Sequence, residues 1–126
     1  MTWPDLQLLA VDYLSLVLGV RVSTRTPADL ETVMPMVRVR RGPGADDGIT
    51  DSPLLDVETF AATEREAWDL AEYARQAIHE LQGKAVGGQL VDAVSTASSP
   101  TSVDWENPAV ERFVASYRIN LRQTGP

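Results

Sequence analysis

Apolar and polar positions repeat along this chain with two different periods, and the switches between them predict its elements. Leu6, Leu9, Ala10, Tyr13, Leu14 and Val17 recur at helical spacing, and Gly19 follows as a stop. Thr2 reads as the cap of that helix, with Pro4 in its first turn and Trp3 stapling its start. Val20 to Arg25 alternates at period two and predicts a strand, and Thr26 to Glu31 reads as a single capped turn led by Pro27. Met36 to Arg41 alternates again, as a half-buried strand does. The segment 42–48 holds Gly42, Pro43, Gly44, Asp46, Asp47 and Gly48, a density of turn residues that predicts a long loop.

Beyond the loop, Leu55, Val57 and Thr59 share one face of a second strand while Asp56 and Glu58 take the other. If these strands pair, Arg38 and Arg40 lie on the face of Asp56 and Glu58, each cross-strand pair contributing ~0.2–1 kcal/mol. Thr63 with Glu66 makes a capping-box pattern for a helix whose apolar stripe is Ala67, Leu70, Ala71, Ala74, Ala77, Ile78 and Leu81, stopped by Gly83. Gln89 to Ala97 reads as a strand with Leu90, Val94 and Thr96 opposite Val91 and Ala93, and apolar residues on both faces favour a central place. Residues 98–102 read as a polar loop that Asp104, Trp105 and Pro108 extend. Phe113, Ala115, Tyr117, Ile119 and Leu121 line one face of the last and clearest strand, and residues 123–126 are expected to fray.

Together these elements predict an α+β fold, one domain over residues 1–126, with a mostly antiparallel sheet and two main helices packed on one face. The opposite face collects Arg21, Arg38, Arg40, Asp56, Glu58, Arg118 and Arg122. It reads as too polar for a second helix layer, so it is expected to be wet or to meet another subunit.

Composition narrows the function. A chain of 126 residues without cysteine excludes disulfides, thiolate zinc sites and thiol catalysis. The net charge of −7 argues against a free-standing duplex-DNA binder. The greasiest run, Leu8 to Val20, is too short to span a bilayer and contains Asp12, so no membrane role is expected. The first residues carry an aspartate and no basic cluster, unlike a secretory signal.

Candidate chemistry is thin. His79, the one histidine, flanks the apolar stripe of its helix and reads as solvated; no Ser-His-Asp set is evident. Asp46, Asp47 and Asp51 share a loop but lack the spacing of a calcium-binding loop, so a solvated turn is the simpler reading. Gly42, Gly44, Gly87 and Gly88 lack the strand-to-helix context and the lysine of a phosphate cradle. Trp105 either covers a sheet edge or anchors a partner. No catalytic residue, cofactor or metal is expected, and the chain reads as a non-enzyme.

The ordered series of motifs resembles tail terminator proteins of long-tailed, siphovirus-type phages of actinobacteria. The similarity runs from about Leu6 to Arg122. It rests on Val20 to Thr24, Pro27 to Leu30, Met34 to Arg41 with the Gly/Asp loop, Asp51 to Ala61, Glu66 to Ala71 and Asn107 to Arg118. The resemblance implies a ring, hexameric in the family, at the head-proximal end of the tail tube. Such a ring stops tube polymerisation and presents a surface to the neck of the capsid. The implied partners are further copies of the chain, the tail tube protein and a head-closure or neck protein. The implied location is the virion tail, after assembly in the host cytoplasm. DNA would pass through an acidic lumen without specific binding, because like charges oppose contact. Arg38, Arg40, Asp46, Asp47, Asp51 and Trp105 are the interface or lumen candidates, with the three aspartates preferred for the lumen. Three other readings stay open: a head-closure or neck ring, a small cytosolic ligand- or metal-binding domain built on Asp46, Asp47 and Asp51, and a monomeric adaptor that binds by strand addition.

Overall fold

In a computed structural model, residues 3–123 are described; Thr2, expected as a cap, and most of the tail expected to fray lie outside them. Nine elements follow in the order α1 (Leu6–Leu18), β1 (Arg21–Ser23), α2 (Leu30–Val33), β2 (Met36–Asp46), β3 (Thr50–Ala61), α3 (Glu64–His79), β4 (Ala85–Val86), β5 (Gln89–Ser102) and β6 (Glu111–Arg122). The six strands form one sheet in the order β1-β2-β3-β6-β5-β4. Every pairing is antiparallel except β1 with β2. The fold is α+β, as the periodicities predict.

The main core lies between this sheet and helices α1 and α3. Leu6, Leu9, Ala10 and Leu14 of α1 and Ala74, Ala77 and Ile78 of α3 pack on Val37, Val39, Leu55, Val57, Ala115, Tyr117, Ile119 and Leu121. The alternation read from β6 is the alternation observed, and β6 lies inside the sheet between β3 and β5. At the start of α1 the cap is Asp5, whose carboxylate accepts the Leu8 N–H, and Pro4 precedes it. Gly19 ends the helix at φ 67°, a left-handed conformation that glycine adopts without strain. Thr63 caps α3 as expected, accepting the Glu66 N–H. That helix stops at His79, and further turns carry the chain to Gly83.

Three expectations fail for identifiable reasons. First, the segment 42–48 is not a long loop, because β2 continues through Asp46 and the turn tightens to a few residues. A register shift between Arg41 and Gly44 takes up Pro43, which cannot donate to a ladder. Gly44 lies so close to the facing strand that an added Cβ would sit 2.3 Å from the Ser52 carbonyl oxygen. Glycine here permits close backbone approach and does not break the strand.

Second, β5 runs on through the serines and threonines at 95–102 and is not central, having only the two-residue β4 outside it. A bulge between Val91 and Ala93 resets its alternation, so Val91 and Val94 are both buried. Strict period two had put those residues on opposite sides.

Third, the face opposite the helices is not wholly polar. At one end α2 and the 103–110 segment close over it, burying Leu30, Met36, Phe60 and Val110 with Trp105 packed against them. The sequence pattern hid this second core because its members come from four separate segments.

Tyr117 is fully buried, and its hydroxyl has no hydrogen-bond partner among the described residues. Burial raises its pKa to about 12, so it stays neutral under ordinary conditions. Tyr117→Phe removes an unsatisfied polar atom and keeps the ring beside His79. It is expected to leave the melting temperature unchanged or raise it, by up to about 1–2 kcal/mol in stability. A thermal melt monitored by circular dichroism checks this.

Candidate assembly surface

Arg38 and Arg40 sit on one face of β2, directly across from Glu58 and Asp56 of β3, as the alternation requires. Their surroundings differ. Arg38 donates to Glu58 Oε2 at 2.6 Å and to Thr26 Oγ1 at 2.7 Å, and its side chain is largely buried. Glu58 also faces Arg112, 3.7 Å away. Arg112 in turn donates to the carbonyls of Val103 and Asp104 and lies over the Trp105 ring, 4.9 Å from its centroid. Trp105 meets Phe60 edge-on with ring centroids 5.2 Å apart. This set fastens α2 and the 103–110 segment to the sheet, so Arg38 and Trp105 serve cohesion within the chain. Asn107 also donates to Glu31, tying the same segments together. Arg40 is exposed and forms no ion pair among the described residues.

The three aspartates divide likewise. Asp51 is only 4% exposed and accepts from Arg41 at 2.7 Å on the helix-facing side of the sheet. It is not part of a solvated turn. Asp46 accepts the Gly48 N–H, and Asp47 accepts the N–H groups of Ile49 and Thr50. Those amides order the β2–β3 turn and hold the Asp47 carboxyl below the usual carboxylate range, with the Thr50 bond the largest cause. A depressed folded-state pKa contributes stability that is present above the unfolded value and lost as pH falls through the folded one. Asp47→Ala is therefore expected to destabilise the turn at neutral pH and to match the parent protein once the carboxylate is protonated. Amide exchange of Ile49 and Thr50 measured across acidic pH reads this directly.

With Asp51 engaged by Arg41 and the other two by backbone amides, the aspartates do not converge on a point. Among the described residues no group of three or more His, Cys, Asp or Glu side chains is placed to share a cation. His79 is exposed, yet its Nε2 lies 2.7 Å from Thr96 Oγ1, so it belongs to the contact between α3 and β5. A cleft of about 550 Å³ is lined by Glu64, Arg65, Trp68 and Phe113 at the start of α3. These side chains offer an apolar floor with one acid and one base, and nothing nucleophilic.

Residues that the sequence patterns did not single out complete the surface. Ile49, 66% exposed, stands at the tip of the β2–β3 hairpin between its aspartates. An isoleucine inside a Gly/Asp turn was its one available signal. Leu8, Leu16 and Val17 are exposed on α1, and of these Val17 belongs to the stripe read as core. Five of the 11 Lys and Arg residues lie at or beside the β1–β2 edge. Arg38 and Arg41 are paired with Glu58 and Asp51, and Arg21, Arg25 and Arg40 are exposed without an ion pair among the described residues.

The geometry is that of a surface-bearing scaffold. A family profile described as phage tail termination protein matches residues 2–98. The chain belongs to that family. It is accordingly a structural protein of the phage tail. No curated protein matches the sequence. Among solved structures, a chain from the "Virion of native gene transfer agent (GTA) particle" superposes with a TM-score of 0.69 at 12% identity. The match covers 93% of this chain and 94% of that one, and at this identity it establishes a shared fold.

Proposed function

We propose that this tail termination protein caps the head-proximal end of the tail tube as a ring of copies, arresting tube growth and offering a docking surface to the neck. The family membership carries this reading, since termination requires a component that seats on the last tube layer and refuses the next. The surface is compatible with it. A ring built by head-to-tail contacts needs two different patches on each subunit. This subunit has two different edges, β1–β2 with exposed Arg21, Arg25 and Arg40, and β5 with its uncharged serine and threonine run. A net charge of −7 would also let DNA pass without adhering.

The test is polymerisation of tail tube protein with and without the purified chain, followed by mixing with DNA-filled heads. Tubes are expected to stop elongating at substoichiometric chain and then to gain affinity for heads. Chain that binds heads while leaving tube growth unaffected would replace this reading with a head-closure role.

A further inference from the structure

Both long outer strands of the sheet leave backbone unpaired. β1 covers β2 only from Met36 to Arg38, so the outer edge of β2 is open from Val39 onward. β4 covers β5 only at Gln89 and Leu90, so the outer edge of β5 is open beyond Val91, where the Lys84 carbonyl still accepts that residue's N–H. Open edges are templates for another strand, and proteins blunt them with charge, proline or bulges. Between Ala93 and Ser102 β5 carries no charge, and its register shifts and Pro100 leave the stretch from Ala93 to Ala97 as the part best able to pair.

The two edges share an unusual device. On β2, the Arg41 N–H donates to the side-chain oxygen of Gln7 at 2.9 Å. On β5, the Val94 N–H donates to the side-chain oxygen of Gln82 at 3.0 Å. In each case a glutamine amide holds a strand N–H where the carbonyl of a neighbouring strand would hold it. A side-chain amide on a surface helix or turn is readily exchanged for a backbone carbonyl of the same chemistry, so the edges are satisfied in the single chain and available to a partner.

Strand direction identifies the partner. β5 is antiparallel to β6, β6 to β3 and β3 to β2, so β5 runs opposite to β2 and to its parallel neighbour β1. Copies related by rotation about an axis along the strands would therefore place β5 of one beside β1–β2 of the next in antiparallel fashion, the commoner kind of pair. The β1–β2 side carries Arg21, Arg25 and Arg40, exposed and free of ion pairs among the described residues. Against β5 itself, α3 sets Arg75, which donates to Ser99 and pairs with Glu72, and His79, which meets Thr96.

We propose that neighbouring copies of this chain join edge to edge, the open edge of β5 in one pairing with the β1–β2 edge of the next, so that their sheets become continuous. Gln7 and Gln82 give up their strand amides on contact. The joint rests on the ring reading for its setting, yet it can be tested separately from it.

The absence of cysteine in the chain makes the test clean. One cysteine is placed on each edge: Ser95→Cys, Ala97→Cys or Ser98→Cys on β5, combined in turn with Arg21→Cys, Ser23→Cys or Arg40→Cys. Within one chain β5 is four strand spacings from β1 and three from β2, about 19 and 14 Å along the sheet. Both exceed the ~7 Å Cα limit for a disulfide, so oxidation can link only different copies. Folding of each variant is checked by circular dichroism. Oxidation is run at high protein concentration and on tail tubes, with Leu16→Cys plus Tyr73→Cys as a control pair on the outer helix faces.

At least one edge pair is expected to give a ladder of covalent multimers ending in a closed species, with the control pair giving none. Multimers that assemble by native mass spectrometry without edge cross-links would overturn the proposal. So would a chain that stays monomeric in solution and on tubes. An edge-linked ring that fails to stop tube growth would sustain this joint and remove the tail-capping role instead.

Discussion

Phe60→Ala is expected to destabilise the protein by about 3–5 kcal/mol, the usual cost of emptying a buried phenylalanine site. Phe60 is fully buried, and Leu30, Met36, Val110 and Trp105 pack around it on the face away from the long helices. Its loss leaves a cavity that α2 and the 103–110 segment can fill only by letting go of the sheet. Beyond a lower urea midpoint, amide exchange should quicken first in those two segments while the α1–α3 core stays protected. A change below about 1 kcal/mol, or loosening that starts in α3, would mean that the second core does not hold this face closed.

Glu58→Ala is the second large effect, expected at about 2–3 kcal/mol. The carboxylate is only 15% exposed and stands between two guanidinium groups, those of Arg38 and Arg112, each 16% exposed. Removing it leaves two largely buried cations facing one another without their anion, which costs more than the intact pair contributes. Combining Glu58→Ala with Arg38→Met should recover part of the loss, since the remaining cation keeps its bonds to Val103 and Asp104. A urea titration of the single and double variants reads both values. Equal stability of Glu58→Ala and the parent protein would show that solvent already screens the cluster.

Much of the architecture was legible because period and face were unambiguous where they mattered. In β6 every second residue from Phe113 to Leu121 is apolar, and all five are buried. Parity alone put Arg38 and Arg40 on the face of Asp56 and Glu58, and the register then sets Arg38 across from Glu58. What was hidden involved departures from period two: the bulge after Val91 and the shift between Arg41 and Gly44 change which residues face inward. Composition also misled at 98–102, where serine and threonine are as compatible with an exposed strand edge as with a loop.

Exposure followed polarity for some of the candidate residues: Arg40, Asp46 and Asp47 are all exposed. Arg38, Asp51 and Trp105 instead satisfy groups within the chain, because their partners Glu58, Arg41 and Phe60 lie in segments whose apposition no local pattern encodes.

The decisive experiment for the tail-capping role is electron cryomicroscopy of assembled tails carrying gold-labelled chain. Label is expected in one ring of copies, confined to the tube end that faces the capsid. Label spread along the tube, at the distal end, or on heads that have not yet received a tail would contradict that role.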